Sequence, residues 1–141
     1  MAGVTGPPLT DGRHIAYVLA AGTAQSPPMI VVDVGRWFSG DAARRAAIAD
    51  GSLAGRRHLY QGRYLRNRDR GLRILPVRRG AAFTIRPYDG TPGETSVTFS
   101  TLASILANPS FASARIAHDP FWIDVRQNRV ASGHQQVYRA P

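Results

Sequence analysis

The apolar stretches of this chain are short, and their length constrains the fold more than any other feature. The two longest, Ile15–Gly22 and Met29–Val34, have the length of β-strands. No run approaches the ~18 apolar residues that a membrane-spanning helix needs. The segment between the two stretches, residues 22–28, is rich in turn-forming residues and predicts an antiparallel hairpin. The chain therefore predicts a β-rich domain without a membrane span.

Further strand-like segments alternate with turns along the rest of the chain. They cover residues 59–65, 72–77, 82–86, 96–99, 121–125 and 129–138. Two helices are also predicted: Ser39 caps one that ends before Gly51, and Ser100 caps another over residues 101–107, with a further turn through Arg115. The links are short and no strand–helix–strand alternation is present. We predict an α+β fold, with a mostly antiparallel bent sheet or partly open β-barrel and two or three short inserted helices.

A length of 141 residues suits one domain. Residues 1–12 are rich in Gly, Pro and Thr and predict a flexible lead-in, and residues 13–141 form the single β-rich domain. The absence of cysteine excludes disulfide scaffolds, thiolate metal sites and cysteine nucleophiles. The four histidines are scattered singly, without HxH or HExxH spacing, so no metal site is predicted. No glycine-rich phosphate loop is present, and no cofactor is expected.

The charge of the chain is strongly positive. All 18 basic residues are arginines, Glu94 is the only glutamate, and the net charge is +9. Nine arginines fall within residues 56–79, where Asp69 is the only acid. A high-GC genome explains the choice of arginine over lysine, but it does not explain why acids fail to balance the arginines. Such an excess favours anionic partners.

The arginine-dense segment suggests a non-enzymatic binding or accessory domain that holds an anionic partner. The partner would be a polyanion, such as nucleic acid or another anionic surface, or an anionic small molecule. Tyr64 is the predicted stacking platform. Trp37 is a candidate to line a pocket with it, and packing in the core is the favoured alternative for Trp37. The predicted anion contacts are Arg63, Arg66, Arg68, Arg70 and Arg73. The alternative for these arginines is a solvated face that binds nothing.

A small enzyme or ligand-binding barrel is the competing hypothesis. Arginines would clamp a carboxylate or phosphate, while an aspartate or histidine moves a proton. Asp33 and Asp124 lie at strand ends, where pairing with arginines is the simpler expectation. The enzyme hypothesis requires several residues to converge in one concave pocket with Trp37 or Tyr64. These residues are Arg66, Arg73, Asp33, Asp124 and His134.

One stretch of the chain resembles a known family. Asp33, Trp37, Ser39-Gly40 and Ala42-Ala43 follow the pattern D-x-x-x-W/F-x-S/T-G-x-A-A of small actinobacterial proteins of unknown function, many of which are secreted. Later segments resemble the same family: Tyr64–Asn67, Leu72–Val77, Trp122–Val125 and Gln136–Tyr138.

This chain departs from the family pattern in three respects. The residues Arg68–Arg70 replace a more neutral loop, Gln136 stands where an acid is commoner, and no secretion leader is visible. The sequence as it stands therefore predicts a cytoplasmic protein, or a secreted one if a leader has been removed. The resemblance implies a single domain of this fold and transfers no catalytic residue. Oligomeric state is not specified by the sequence.

Overall fold

The first hairpin forms where the sequence predicts it and begins a β-barrel. Strand β1 (Gly12–Gly22) pairs antiparallel with β2 (Met29–Val34). Ile30 and Val32 are fully buried while their neighbours on β2 are half-buried, because successive side chains of a strand point to opposite faces. The structure is a computed structural model that describes residues 7–52, 59–67, 71–86, 93–108 and 110–140, with only the backbone of 111–114.

Six further strands and three helices follow in the described part of the chain. The strands are β3 (Arg36–Ser39), β4 (Arg63–Arg66), β5 (Leu72–Ile85), β6 (Thr95–Thr98), β7 (Phe121–Arg126) and β8 (Arg129–Gln135). The helices are α1 (Gly40–Ala49), α2 (Phe99–Ala107) and α3 (Phe111–His118), and a single 3-10 turn covers Tyr60–Gly62.

Five strands close into a barrel in the order β1-β2-β5-β8-β7, and β7 pairs again with β1. All neighbours are antiparallel except β5 and β8, which are parallel. The long β5 makes closure possible, because its first half pairs with β2 and its second half lies between β8 and β6. The predicted α+β fold with inserted helices is confirmed, and the barrel is closed rather than partly open.

Aromatic and branched side chains fill the barrel. Phe83 and Phe121 are fully buried inside it, and α2 and α3 contribute Leu102 and Ile116 to the same core. Gly133 on β8 leaves the space that the Phe83 ring occupies. The inserted helices therefore complete the barrel core.

A second layer lies outside the barrel. Strands β3 and β4 form a separate two-stranded sheet, and the alanine-rich face of α1 packs on it around Tyr64. An aromatic cluster joins this layer to the barrel: the Trp37 ring lies 5.7 Å from Trp122 and 5.5 Å from Tyr138, both edge-on. The backbone amide of Leu65 also donates to Tyr138 Oη at 3.1 Å.

Several predicted element boundaries need correction. The predicted strand over residues 59–65 is a 3-10 turn followed by the shorter β4, and the predicted strands 72–77 and 82–86 are one continuous strand, β5. Helix α2 is capped by Thr98, whose Oγ1 accepts from the Thr101 amide at 3.1 Å, so Ser100 is not the cap. Helix α1 does begin after Ser39, and Gly51 has the positive φ expected after its end.

The second half of the predicted lead-in, residues 7–12, contacts the barrel. Leu9 packs against the barrel core, and Asp11 Oδ1 accepts from the Gln127 amide at 2.8 Å. Strand β1 begins at Gly12. Residues 7–12 are thus held against the barrel, and residues 1–6 lie outside the described range.

Replacing Gly133 by alanine should destabilise the barrel. A Cβ at this position would lie 2.5 Å from Phe83 Cδ2, and the fully buried ring has no room to move away. We expect Gly133→Ala to lower the free energy of unfolding by about 1–3 kcal/mol, the usual cost of overpacking a core. Urea denaturation would measure this, with Ser132→Ala on the same strand as the control. Equal stability of the two variants would contradict the described packing.

Candidate functional site

The arginine-dense segment of the sequence is divided over several parts of the surface. Arg63 is exposed at the start of β4, Arg66 and Arg73 line one groove, and Arg78 and Arg79 line another. The remaining members of the segment, Arg56, Arg57, Arg68 and Arg70, lie outside the described residues. The high density of arginines along the sequence therefore does not place the described ones on a single face of the protein.

The groove that contains Arg66 and Arg73 also contains Arg36, and we call it the Arg36 groove. It has a volume of about 600 Å³. Its three arginines come from three strands, β3, β4 and β5, so that it lies between the outer layer and the barrel. Its lining is Val34, Gly35, Arg36, Arg66, Asn67, Gly71 and Arg73.

Two glycines bring the groove walls close together. A Cβ on Gly71 would lie 2.5 Å from the Val34 carbonyl oxygen, and a Cβ on Gly35 would lie 2.8 Å from that of Arg66. The Val34 amide donates to the Gly71 carbonyl, and the Gly35 amide to the Ile15 carbonyl, both at 3.0 Å. The groove floor thus requires glycine at both positions, since any side chain would push the walls apart.

The carboxylate of Asp33 holds two residues of the groove lining, Asn67 and Gly71. Its Oδ1 accepts from the Gly71 amide at 2.8 Å, and its Oδ2 accepts from Asn67 Nδ2 at 2.9 Å. Among the described residues the Asp33 carboxylate therefore holds Asn67 and Gly71 and pairs with no arginine, while Arg68 and Arg70 lie outside the described range. Asn67 Oδ1 is buried without a hydrogen-bond partner in the described structure.

Each groove arginine is oriented by protein contacts. Arg66 Nε lies 3.0 Å from Asp50 Oδ2, and Arg73 Nε donates to the Pro7 carbonyl at 2.8 Å. The guanidinium carbons of Arg36 and Arg66 lie 5.2 and 5.1 Å from the centre of the Phe38 ring, in cation–π contact. A guanidinium has five N–H donors in a planar fork, so these contacts leave donors for a carboxylate or phosphate.

Tyr64 and Trp37 do not form the predicted stacking surface in this groove. Tyr64 is only 5% exposed, and its hydroxyl donates to Asp50 Oδ2 at 2.8 Å. Burial, reinforced by Asp50, raises the pKa of Tyr64. Trp37 is half-buried in the aromatic cluster. Both side chains hold the outer layer in place.

The residues that the enzyme hypothesis requires do not meet in one pocket. Arg66 and Arg73 share the Arg36 groove, whereas Asp124 and His134 line a separate groove with Trp122 and Arg13. Asp124 pairs with Arg126 at 3.3 Å, as expected for a strand-end aspartate, and His134 lies 3.0 Å from Glu94. Among the described residues, no group of His, Asp and Glu side chains has the arrangement of a metal site.

Sequence reasoning missed several residues that build the site. Arg36 stands alone in the sequence, outside the arginine-dense segment, and Asp50 was not among the candidate residues. A weak signal existed, because Gly35 directly precedes Arg36 and a glycine between two strands often marks a close backbone approach. No local pattern shows that Arg36 and Arg73 meet, since they are far apart in sequence.

Comparison of the chain with protein-family models, curated proteins and solved structures finds no significant match. The resemblance to actinobacterial proteins thus stays a prediction, and the argument about function depends on geometry alone. Over the residues that can be described, no helix combines the length and apolar character needed to cross a membrane.

Tyr17 gives the protein a predictable response to alkali. It lies opposite Asp33 across the β1–β2 hairpin. Burial, with further contributions from Tyr138, Asp119 and Asp33, raises the Tyr17 pKa to about 12. The folded state therefore holds the phenol proton more tightly than the unfolded chain, whose tyrosine titrates near the ordinary value of 10.0.

This contribution to stability is complete below pH ~10 and is lost as the pH rises towards 12. We expect the free energy of unfolding, measured by urea denaturation, to fall between these pH values. The fall should be smaller in Tyr17→Phe; it should persist in part, because burial also raises the pKa of Tyr64 and of Tyr138. An unchanged alkaline fall in Tyr17→Phe would show that Tyr17 is not the group responsible.

Asp50 ties α1 to β4, and its replacement by asparagine should loosen the outer layer. The side chain is 2% exposed and accepts from both Tyr64 and Arg66. Hydrogen bonds to charged groups contribute about 1.5–3 kcal/mol, so we expect Asp50→Asn to lower the free energy of unfolding by about that amount. Asp41→Asn, at an exposed position in the first turn of α1, is the matched control. Equal effects of the two replacements would contradict the role given to Asp50.

Proposed function

We propose that this protein is a non-enzymatic binding domain whose Arg36 groove holds part of an anionic polymer. The observation that carries the proposal is the convergence of Arg36, Arg66 and Arg73 from three separate strands on one groove. Three like charges in one place cost repulsion unless something anionic compensates them. Among the described residues Asp50 forms an ion pair with Arg66, and no carboxylate forms one with Arg36 or Arg73.

The proposal also includes the predicted contacts Arg63, Arg68 and Arg70. Arg68 and Arg70 lie outside the described residues, while Asn67 and Gly71, which flank them in the sequence, both line the groove. Arg63 is exposed on β4, the strand that also supplies Arg66. A net charge of +9 would attract a polyanion over a longer range and speed its association.

Binding is favoured over catalysis because the described lining of the groove offers donors and no proton-transfer group. Asp33 uses both carboxylate oxygens to hold Asn67 and Gly71, and Asp50 is paired with Arg66 and Tyr64. Asp124 and His134 line a different groove. An enzyme that acts on an anion would need an acid or base within reach of the clamped group.

A salt titration tests the proposal. Binding of a fluorescent dT12 oligonucleotide and of a heparin dodecasaccharide would be measured from 50 to 300 mM NaCl by anisotropy and calorimetry. For single-stranded nucleic acid the slope of log K against log salt is about −0.7 for each neutralised phosphate. We expect Arg36→Gln/Arg73→Gln to make this slope shallower by about 1.4. Affinity at 50 mM salt should fall by at least about tenfold, since two charge-assisted contacts are lost.

The matched control removes the same charge elsewhere. Arg44 and Arg45 are exposed on α1 and do not line the groove, so Arg44→Gln/Arg45→Gln should keep most of the affinity. Equal losses in both double variants would show that only net charge matters and would refute the groove as the site. Absence of binding to either polymer at 50 mM salt would refute the function. Inorganic phosphate that binds as tightly as the polymers would favour the small-ligand alternative.

A further inference from the structure

A second arginine-lined groove lies at an irregularity of the barrel, and we call it the Arg78 groove. It has a volume of about 920 Å³, near the upper end of the ~300–1,000 Å³ typical of small-molecule pockets. Its walls come from the β1–β2 connection, the middle of β5, strand β6, the start of α2 and the start of β8. It shares no lining residue with the Arg36 groove.

The groove lies where the pairing of β5 changes. The pairing of β5 with β2 ends at Pro76, and its pairing with β6 begins at Ala82. On the β8 side the register shifts between Val77 and Ala82, so residues 78–81 of β5 form a bulge opposite residue 131. Gly80 lies in this bulge with a φ of +82°, a conformation that glycine adopts without strain. All four residues of the bulge line the groove.

The cations of the groove have no carboxylate partners. Arg78, Arg79 and Arg129 are all exposed, and none of them forms an ion pair with a carboxylate in the described part of the chain. Arg78 and Arg79 flank the bulge, and Arg129 begins β8 beside it. Three uncompensated guanidinium groups at one groove form a binding site for a compact anionic group.

The rest of the lining combines apolar and hydroxyl side chains. Its accessible apolar residues include Pro27, Pro28 and Val97, and its hydroxyl groups come from Thr23, Ser26, Ser96, Thr98 and Ser100. Among the described lining residues Phe99 is the only aromatic one; it is 6% exposed, with its ring packed against Phe83 in the core. The described lining therefore offers no ring face for a base to stack on, as single-stranded nucleic acids require. Apolar walls with cations beside them match a ligand that is apolar along its length and anionic at one end.

We propose that the Arg78 groove binds an amphiphilic small molecule with a carboxylate or phosphate head and an alkyl chain. The head lies between Arg78, Arg79 and Arg129, and the chain covers the accessible apolar wall to which Pro27, Pro28 and Val97 contribute. This site is separate from the proposed polyanion site and does not depend on it.

Titration of 15N-labelled protein with decanoate and with decyl phosphate, below their micelle concentrations, tests the proposal. Amide shifts should move for residues 77–82 and 95–100 and should stay constant at residues 34–36 and 65–67. Octanoate should bind more weakly than decanoate, by up to about fourfold for each CH2 removed. Neutral decanol and inorganic phosphate should each bind at least about tenfold more weakly than decyl phosphate, because each lacks one half of the recognition. The two head groups show whether carboxylate or phosphate is preferred.

Two variants test separately how the head group and the alkyl chain of the ligand contribute to binding. Arg78→Gln/Arg129→Gln should weaken decanoate binding by at least about tenfold and leave decanol binding unchanged, whereas the α1 variant Arg44→Gln/Arg45→Gln should leave both unchanged. Ser96→Trp places a bulky side chain at an exposed position of the groove wall and should weaken both ligands alike. Thermal unfolding checks that each variant is folded.

The proposal would be overturned by the absence of shifts at residues 77–82, by equal affinity for decanol and decanoate, by affinity that does not depend on chain length, or by stronger binding of dT12 than of decanoate at these same residues. Shifts confined to the Arg36 groove would also overturn it, while supporting the polyanion site. Conversely, dT12 and heparin that fail to bind anywhere refute the polyanion proposal and leave the amphiphile result intact. The two proposals can thus fail independently.

Discussion

Closure of the barrel depends on β5, the only described strand that pairs with three others. A straight strand could not pair with β2 at one end and with β6 at the other while staying beside β8. The bulge that contains Gly80 resolves this conflict, because a bulge lets the strand bend between its two halves. The four residues of the same bulge line the largest groove described. Closure of the core and the presence of an open cleft thus have one structural cause.

Local sequence patterns predicted the elements of the barrel but not its closure. Alternation and turn residues placed the first hairpin, and the Ser39 and Gly51 signals placed α1, because both depend on residues close in sequence. The continuity of β5 was missed, since Arg78–Gly80 looks like a break between strands when only local propensity is considered. The parallel pairing of β5 with β8 joins residues about fifty positions apart, and no pattern along the chain encodes such a pairing.

The candidate site shows a similar limit. Arg66 and Arg73 were selected because arginines are dense around them, and they do line one groove. Arg36 was not selected because it stands apart in sequence and reaches the groove only through the pairing of β3 with β4. Tyr64 was expected to face a ligand because tyrosine beside arginine suits stacking, yet its burial against the alanine face of α1 is an equally good use of the same ring. Composition indicates the kind of partner, whereas the fold decides which arginines act together.

The separation of the outer layer from the barrel has a consequence for the dynamics of the protein. Strands β3 and β4 share no sheet with the barrel; the layer is held by the aromatic cluster and by isolated hydrogen bonds such as Gly35 to Ile15. Amide protons of α1 should therefore exchange with solvent through a local opening that costs less free energy than unfolding of the barrel. Arginines of both layers line the Arg36 groove, so an anion held by all three binds only while the layers are docked. Such a ligand stabilises the docked arrangement of the two layers. Slower hydrogen exchange of the α1 amides would report its binding without any direct contact to that helix.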